Sequence, residues 1–495
     1  MIDSCSVSTK QARDLWISLV NRPVTQQNAA SLLKPLISLL PRHDVDTQAL
    51  VRTTLLVLAS QESTKELFEE SALMTFSRLQ RWADPSDTAV HLFHLHLRCN
   101  LNTSLALERR CKQIMVYVLD KLDDSQWWSR ESHGLFPLLE SLVQQNIRNG
   151  GLWPLDQQAL KLLQEKIKKN RDPSLLYAVP PSPASAKMES WLFGEPLHRA
   201  SATVARFYEH HPYPRWDRLD LSPLNNGLRS HLSRAVGSPA AAAIDCEPKC
   251  LIVLGCGTGR EALAWAAALP DCHVVGIDLS ATSLAYASGM AQRLGLNNVE
   301  WHQEDLLNLP SHSAEYDLVI ACGVLHHLPD PAEGLEVATR LARPGGLIKL
   351  ALYSAPARRP IIHIRKLLLD IMGCEPSSER LAVARSTLIE NFPLHPELIH
   401  LQRIQDFFDL DGCWDLFFNP CESAFSLPAV EQLLALSRLR FLGFEWDDQL
   451  PLFQFRALFP SDRDALNLYY WSCFESRFPD TFLGMYRFWC QRAAC

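Results

Sequence analysis

Residues 251–262 read LIVLGCGTGREA, four apolar residues running straight into three glycines at every second position. Glycine weakens both strand and helix, so this spacing requires the main chain to turn sharply or to lie against something else. The turn is followed by a helix opening at Arg260 and Glu261. A buried strand, a glycine turn and a helix in that order begin a parallel sheet covered by helices on both faces.

The rest of the C-terminal half agrees. From Lys249 onward CLIVLG, HVVGID, NVEWHQ, YDLVIAC and GLIKLALYS read as near-continuously apolar strands, with helical patterns at 259–269, 282–294 and 331–342. Residues 356–428 interrupt the alternation with an amphipathic helix, RPIIHIRKLLLDIMG, and an aromatic stretch, DFFDLDGCWDLFFNP. Two readings of this insert stand side by side, a substrate-side lid and a segment packed against a neighbour. A further helix and two strands, RFLGFEW and MYRFWCQR, close the sheet at the chain end.

Residues 1–170 carry one helical pattern after another, and no signature repeats near 34 residues. A degenerate helical-repeat array and a plain bundle both fit. Residues 171–187, RDPSLLYAVPPSPASAK, lack periodicity and read as a linker. The expected domains are an all-α region at 1–170, a linker with an aromatic-proline arm at 171–247, and an α/β domain at 248–495.

Length and composition set wider bounds. A chain of 495 residues exceeds one ordinary domain, and its net charge of −7 disfavours nucleic acid and anionic membranes as partners. No apolar run approaches the roughly 18 residues that span a bilayer. The N-terminus lacks the pattern of a signal peptide. Fourteen scattered cysteines fit a reduced, cytoplasmic protein without structural disulfides. Cys246 and Cys250 have no second Cys/His pair nearby, so no metal is expected.

Ligands of open α/β sheets bind outside the carboxyl ends of the strands. Gly255, Cys256, Gly257 and Gly259 form the turn there, and the amides opening the next helix suit polar or anionic groups. The dinucleotide fingerprint needs a sixth-position glycine, where this chain has Arg260, so a diphosphate site is disfavoured. Asp278, followed by Leu279, ends the second strand, where a carboxylate can accept from ribose hydroxyls. Asp305 and Leu306 follow the third strand, suited to an exocyclic adenine amine and the ring face. Cys322 and Gly323 follow the fourth strand and lie beneath a ligand, with His326 and His327 near its reacting end.

In order and spacing, VLGCGTGREA, GIDLS, EDLLNLP, YDLVIACGVLHHLPDP and ARPGGLIKLALYS resemble the successive motifs of the class I S-adenosylmethionine-dependent methyltransferases, strongly over about 248–353. The resemblance implies a Rossmann-like seven-stranded sheet whose last strand is antiparallel and inserted between strands five and six. It implies S-adenosyl-L-methionine as cofactor, with the three glycines at the methionyl part, Asp278 at the ribose, and Asp305 and Leu306 at adenine. FYEHHPYPRW (207–216) is similar to an arm found in a bacterial subgroup behind an N-terminal helical, often tetratricopeptide-like, region. No NPPY or DPPY run follows the fourth strand, which counts against adenine- or glutamine-nitrogen methylation.

Methyl transfer from a sulfonium is an in-line displacement, so the protein has to align a nucleophile and exclude water. His326 or His327 can serve as the base for a protonated acceptor, or can cap backbone groups in a loop. The arm offers Tyr208, His211, Tyr213, Arg215 and Trp216, either to cover the sulfonium and grip a carboxylate or to pack on the sheet domain. Trp414, Phe417 and Phe418 of the insert read first as core. The acceptor expected is a small molecule or a protein side chain, and the N-terminal helices can recruit a protein partner. The rivals are a non-catalytic cofactor- or partner-binding scaffold and a nicotinamide-dependent oxidoreductase.

Overall fold

The computed structural model describes residues 9–20, 22–42, 45, 47–69, 74–122, 124, 127–128, 133–169, 199–219, 227–309, 315–373 and 376–494. The linker read at 171–187 lies outside the described residues. The chain divides into two compact units.

One unit is helical and draws on residues within 1–180, 217–222 and 366–413. Its helices include Ala29–Leu39, Val51–Ser60, Thr88–Cys99, Leu105–Asp120, Phe136–Arg148 and Gln157–Lys169. Caps start several of them. Asp87 accepts from the amides of Ala89 and Val90, and Ser104 accepts from that of Leu107. Leu36, Trp82, Phe93, Ile114, Leu139 and Leu163 meet in one continuous core. The middle of the insert folds with these helices, forming Ser378–Asn391 and Pro396–Leu401. A buried ion pair ties it in: Arg385 Nη1 and Nη2 lie 2.7 and 3.0 Å from the two Glu108 oxygens. The same guanidinium donates to Phe407 O at 2.7 Å and stacks 4.3 Å from that ring. A buried charge stripped of its partner is costly. Glu108→Ala is therefore expected to destabilise this unit by about 3–5 kcal/mol, read as a lower unfolding midpoint in urea.

The second unit holds one seven-stranded sheet, ordered β3-β2-β1-β4-β5-β7-β6. Its strands are β1 (Cys250–Leu254), β2 (His273–Asp278), β3 (Val299–Gln303), β4 (Tyr316–Cys322), β5 (Ala342–Tyr353), β6 (Leu439–Phe444) and β7 (Met485–Arg492). β1 to β5 run parallel, whereas β7 is antiparallel to both neighbours. This is the order the class I resemblance implies, including the last strand between five and six. Both faces are apolar because both are covered. Ile252, Leu254, Val319, Ile348 and Leu350 face one core, while Leu251, Val253, Leu318 and Ile320 face the other, with Trp265 and Trp489.

The helices Arg260–Ala268, Ala281–Leu294 and Pro331–Leu341 match the expected helical stretches to within a residue or two. Two further helices, Leu450–Leu458 and Leu468–Arg477, fill the β6–β7 connection. Among the described residues no helix is long and apolar enough to cross a membrane.

Candidate active site

All three glycines of the turn have left-handed backbone, with φ of 62° at Gly255, 53° at Gly257 and 82° at Gly259. Space forbids a side chain as firmly as the backbone does. A Cβ on Gly255 would overlap Val324 of the β4 turn, and one on Gly259 would come within 2.6 Å of Ala287. At Gly257 the space is filled by the main-chain carbonyl of Tyr213. The glycine ladder thus has an answer within the chain itself: a turn pressed on by the β4 turn, by the helix bearing Ala287 and by the main chain at Tyr213.

The arm is the last of these segments. Tyr213 O accepts from Thr258 N at 3.1 Å, and Pro214 O accepts from Thr258 Oγ1 at 2.6 Å. Trp216 Nε1 donates to Thr258 Oγ1 at 3.0 Å, and Tyr286 donates its hydroxyl to Trp216 O. Tyr213, Trp216 and the intervening half-buried Arg215 therefore follow the glycine turn rather than standing away from it. Glu209, in the helix Arg199–His210, was not singled out by the sequence. Its carboxylate accepts from Ala281 N at 2.5 Å and from Thr282 Oγ1 at 2.5 Å, capping the helix after β2. The one acid in an aromatic, histidine-rich arm was the available signal.

Asp278 ends β2 beside the turn. One oxygen accepts from Gly257 N at 2.7 Å and the other from Ser280 N at 2.9 Å. Each retains a lone pair for a further donor. Burial pushes this carboxyl up to about 6, against the lowering effect of the two amides. Leu279, next in the chain, is half-buried, and its carbonyl accepts from Gln303 Nε2 at 3.1 Å. Asp305 caps the 3₁₀ turn Leu306–Asn308 with one oxygen, 3.1 Å from Leu307 N. Its other oxygen is buried without a hydrogen-bond partner among the described residues, and Leu306 beside it is buried. An acceptor left bare in the interior is costly unless a ligand or water supplies a donor.

The Cys256 thiol in the glycine turn and the Cys322 thiol at the end of β4 are both pushed well up by burial, so neither is poised as a thiolate. Gly323 has φ of 77° and open space where a Cβ would stand. The two histidines differ. His326 is fully buried and stacked 3.7 Å from the Tyr353 ring. His327 Nδ1 lies 2.8 Å from Cys421 O. A carbonyl only accepts, so Nδ1 carries the proton and Nε2 the lone pair. Burial holds both imidazoles below their ordinary range, and hence neutral at pH 7.

Around His327 the arm meets the end of the insert. Tyr208 donates its hydroxyl to Asp415 at 2.7 Å and accepts from Asn419 Nδ2 at 2.8 Å. His211 stacks on Trp414 at 4.4 Å and 18° between planes. Phe417 is buried, whereas Trp414 and Phe418 are half-buried. Asp415 and Asn419 lay unremarked within an aromatic run, and only tertiary contact picks them out.

Residues 251–376 match a family model described as a methyltransferase domain. An uncharacterized protein of Synechococcus sp. is 26% identical over 254 residues, 50% of this chain and 60% of that protein. Trans-aconitate 2-methyltransferase of Azoarcus sp. is 34% identical over 180 residues, 35% of this chain and 62% of that enzyme. Among solved structures, PKMT2 of Rickettsia typhi in complex with AdoHcy aligns with a TM-score of 0.41 and 18% identity, over 49% of each chain. The chain spans less than two thirds of these relatives' own length. The matched segment begins within β1 and ends beyond the helix that follows β5. What is similar to a methyltransferase domain is therefore the stretch bearing the glycine turn, Asp278, Asp305, Gly323 and both histidines.

Proposed function

We propose that this chain is an S-adenosylmethionine-dependent methyltransferase acting on a small-molecule or protein acceptor. The observation that carries the reading is the bare, buried Asp305 oxygen at the carboxyl edge of a sheet with this strand order. An exocyclic adenine amine supplies the donor it lacks, with Leu306 beside the ring. Asp278 keeps lone pairs for the ribose hydroxyls, and the glycine turn with Cys256 borders the methionyl part. Cys322 and Gly323 line the floor, where Gly323 leaves open space.

When bound, the cofactor supplies a methyl group on a positively charged sulfur. The chain's own task is to hold the acceptor in line and take its proton. His327 suits that task, because its Nδ1–H is spent on Cys421 O and Nε2 is left as the acceptor. His326, stacked and enclosed, supports the wall rather than the proton transfer. The arm's role in this reading is to set the glycine turn through Tyr213, Arg215 and Trp216, and to face the acceptor through Tyr208 and His211. In this reading a protein partner falls to the helical unit.

Titration calorimetry with S-adenosylmethionine, S-adenosylhomocysteine and NAD tests this reading. Micromolar binding of the two sulfur compounds, weakened by Asp278→Ala, is expected, with none for NAD. Binding of NAD alone would replace it with the oxidoreductase reading.

Asp278 also sets a pH dependence. Ribose hydroxyls donate to the ionised carboxylate, which forms as pH rises through about 6. Affinity is therefore expected to fall as pH drops below that value, by up to about tenfold per unit, and to flatten in Asp278→Asn. For the unliganded chain the sign reverses. Its carboxyl titrates near 6 rather than 3.8, so the folded state holds the extra proton between those values. Its contribution to stability is lost as pH rises through that window.

A further inference from the structure

The Tyr208 and Tyr353 rings both stand edge-on to His327, with centroids 6.2 and 5.6 Å away. Their hydroxyls converge on the two oxygens of one carboxylate: Tyr208 donates to Asp415 Oδ1 at 2.7 Å, and Tyr353 to Oδ2 at 3.4 Å. Asn419 Nδ2 bridges the cluster, 3.2 Å from Asp415 Oδ1 and 2.8 Å from the Tyr208 hydroxyl. Four segments thus meet here: the arm, the turn after β4, the end of β5 and the end of the insert. Other charges face the same imidazole. Arg358 lies over the Tyr353 ring at 4.2 Å, but its Nε donates to Glu422 at 2.6 Å, and its Nη2 to Leu416 O at 2.9 Å. His326, 4.3 Å away between centroids, is neutral, and Cys421 offers its carbonyl. With Arg358 and Glu422 offsetting each other, Asp415 is left as a negative charge facing His327.

We propose that Asp415 is a positioning residue for the His327 base: it gathers the two tyrosine hydroxyls that flank the imidazole and supplies the charge that steadies its protonated form. The inference rests on the reading of His327 as the base. Burial disfavours the imidazolium that forms when the acceptor gives up its proton, and a nearby carboxylate opposes that penalty. Asp415 touches neither cofactor nor acceptor in this account. It acts through the imidazole.

The test is an NMR titration of histidine ring carbons in the full chain, with His327 assigned by its loss in His327→Gln. Asp415→Asn removes the charge and keeps a carbonyl for one hydroxyl, its NH2 replacing the oxygen that accepts from the other. It is expected to lower the His327 pKa by about one unit or more, and Asp415→Glu is expected to restore it. Asp415→Ser, smaller and also neutral, gives the same reading should the amide variant not fold. In turnover the acid limb of kcat/KM moves to lower pH in Asp415→Asn while the plateau falls. An unchanged His327 pKa in a folded, charge-free variant overturns the inference. The titration needs neither cofactor nor acceptor, so that outcome is distinct from failure of the methyltransferase reading, which the calorimetry decides.

Discussion

Gly257→Val is expected to abolish cofactor binding, weakening it by at least about a hundredfold, which at about 1.4 kcal/mol per tenfold is near 3 kcal/mol. The reasons are independent of one another. Valine at φ of 53° is a strained backbone state costing on the order of 1–3 kcal/mol. Its Cβ also meets a main-chain carbonyl, that of Tyr213, which cannot swing aside as a flexible side chain would. Moving that carbonyl breaks the Thr258 bonds that hold the arm, and moving the turn breaks the Gly257 bond to Asp278. Calorimetry and thermal melting together read both effects. Gly289→Ala is the control. It sits in the helix Ala281–Leu294, where, beyond the adjoining helix backbone, no atom of the described residues lies within 4 Å of the added carbon. That change is expected to leave affinity alone and to stabilise by about 0.5–1 kcal/mol. Wild-type affinity in Gly257→Val would show that the turn is not part of the cofactor site.

The second large effect is expected at His327. His327→Gln should lower kcat by about 10²–10⁴-fold, the usual worth of a positioned general base. Affinity for the cofactor should not change. Transfer of a labelled methyl group to an acceptor found in a small-molecule and protein panel measures the first, and calorimetry the second. His326→Gln serves as the contrast. Its fully buried ring stacks on Tyr353, so its loss is expected as lower stability rather than a slower chemical step. Equal turnover in His327→Gln and the wild type would remove the base and leave pure alignment as the source of rate.

The inner parallel strands were legible because they are buried on both faces, which writes a continuous apolar run such as LIVL or DLVIAC, whereas β3, at the sheet edge, is only partly buried. The glycine turn was legible too, but not its purpose at Gly257. What presses on that residue is a carbonyl 44 positions earlier, and a main-chain contact leaves no side-chain signature. Glu209 capping Ala281 and Arg385 pairing with Glu108 escaped because 72 and 277 positions lie between the partners. The insert was seen as a single segment at 356–428. Its Ser378–Asn391 helix belongs to the helical unit, tied there by Arg385 and Glu108, whereas Asp415 and Asn419 bond Tyr208 in the sheet unit. Local periodicity marks where a helix is. It does not mark which core the helix joins.

The most direct test of the account is the adenine contact. S-adenosylhomocysteine and S-inosylhomocysteine differ at one edge of the purine, where the exocyclic amine donor becomes a carbonyl acceptor and the adjoining N1 gains a proton. Calorimetry of both against the wild type and Asp305→Ala is expected to show a preference for the adenosyl compound of at least tenfold. A buried acceptor facing an acceptor loses its bond and keeps its desolvation cost. The preference should largely vanish in Asp305→Ala. Equal affinities of the wild type for the two compounds would contradict the placement of the cofactor at this sheet edge.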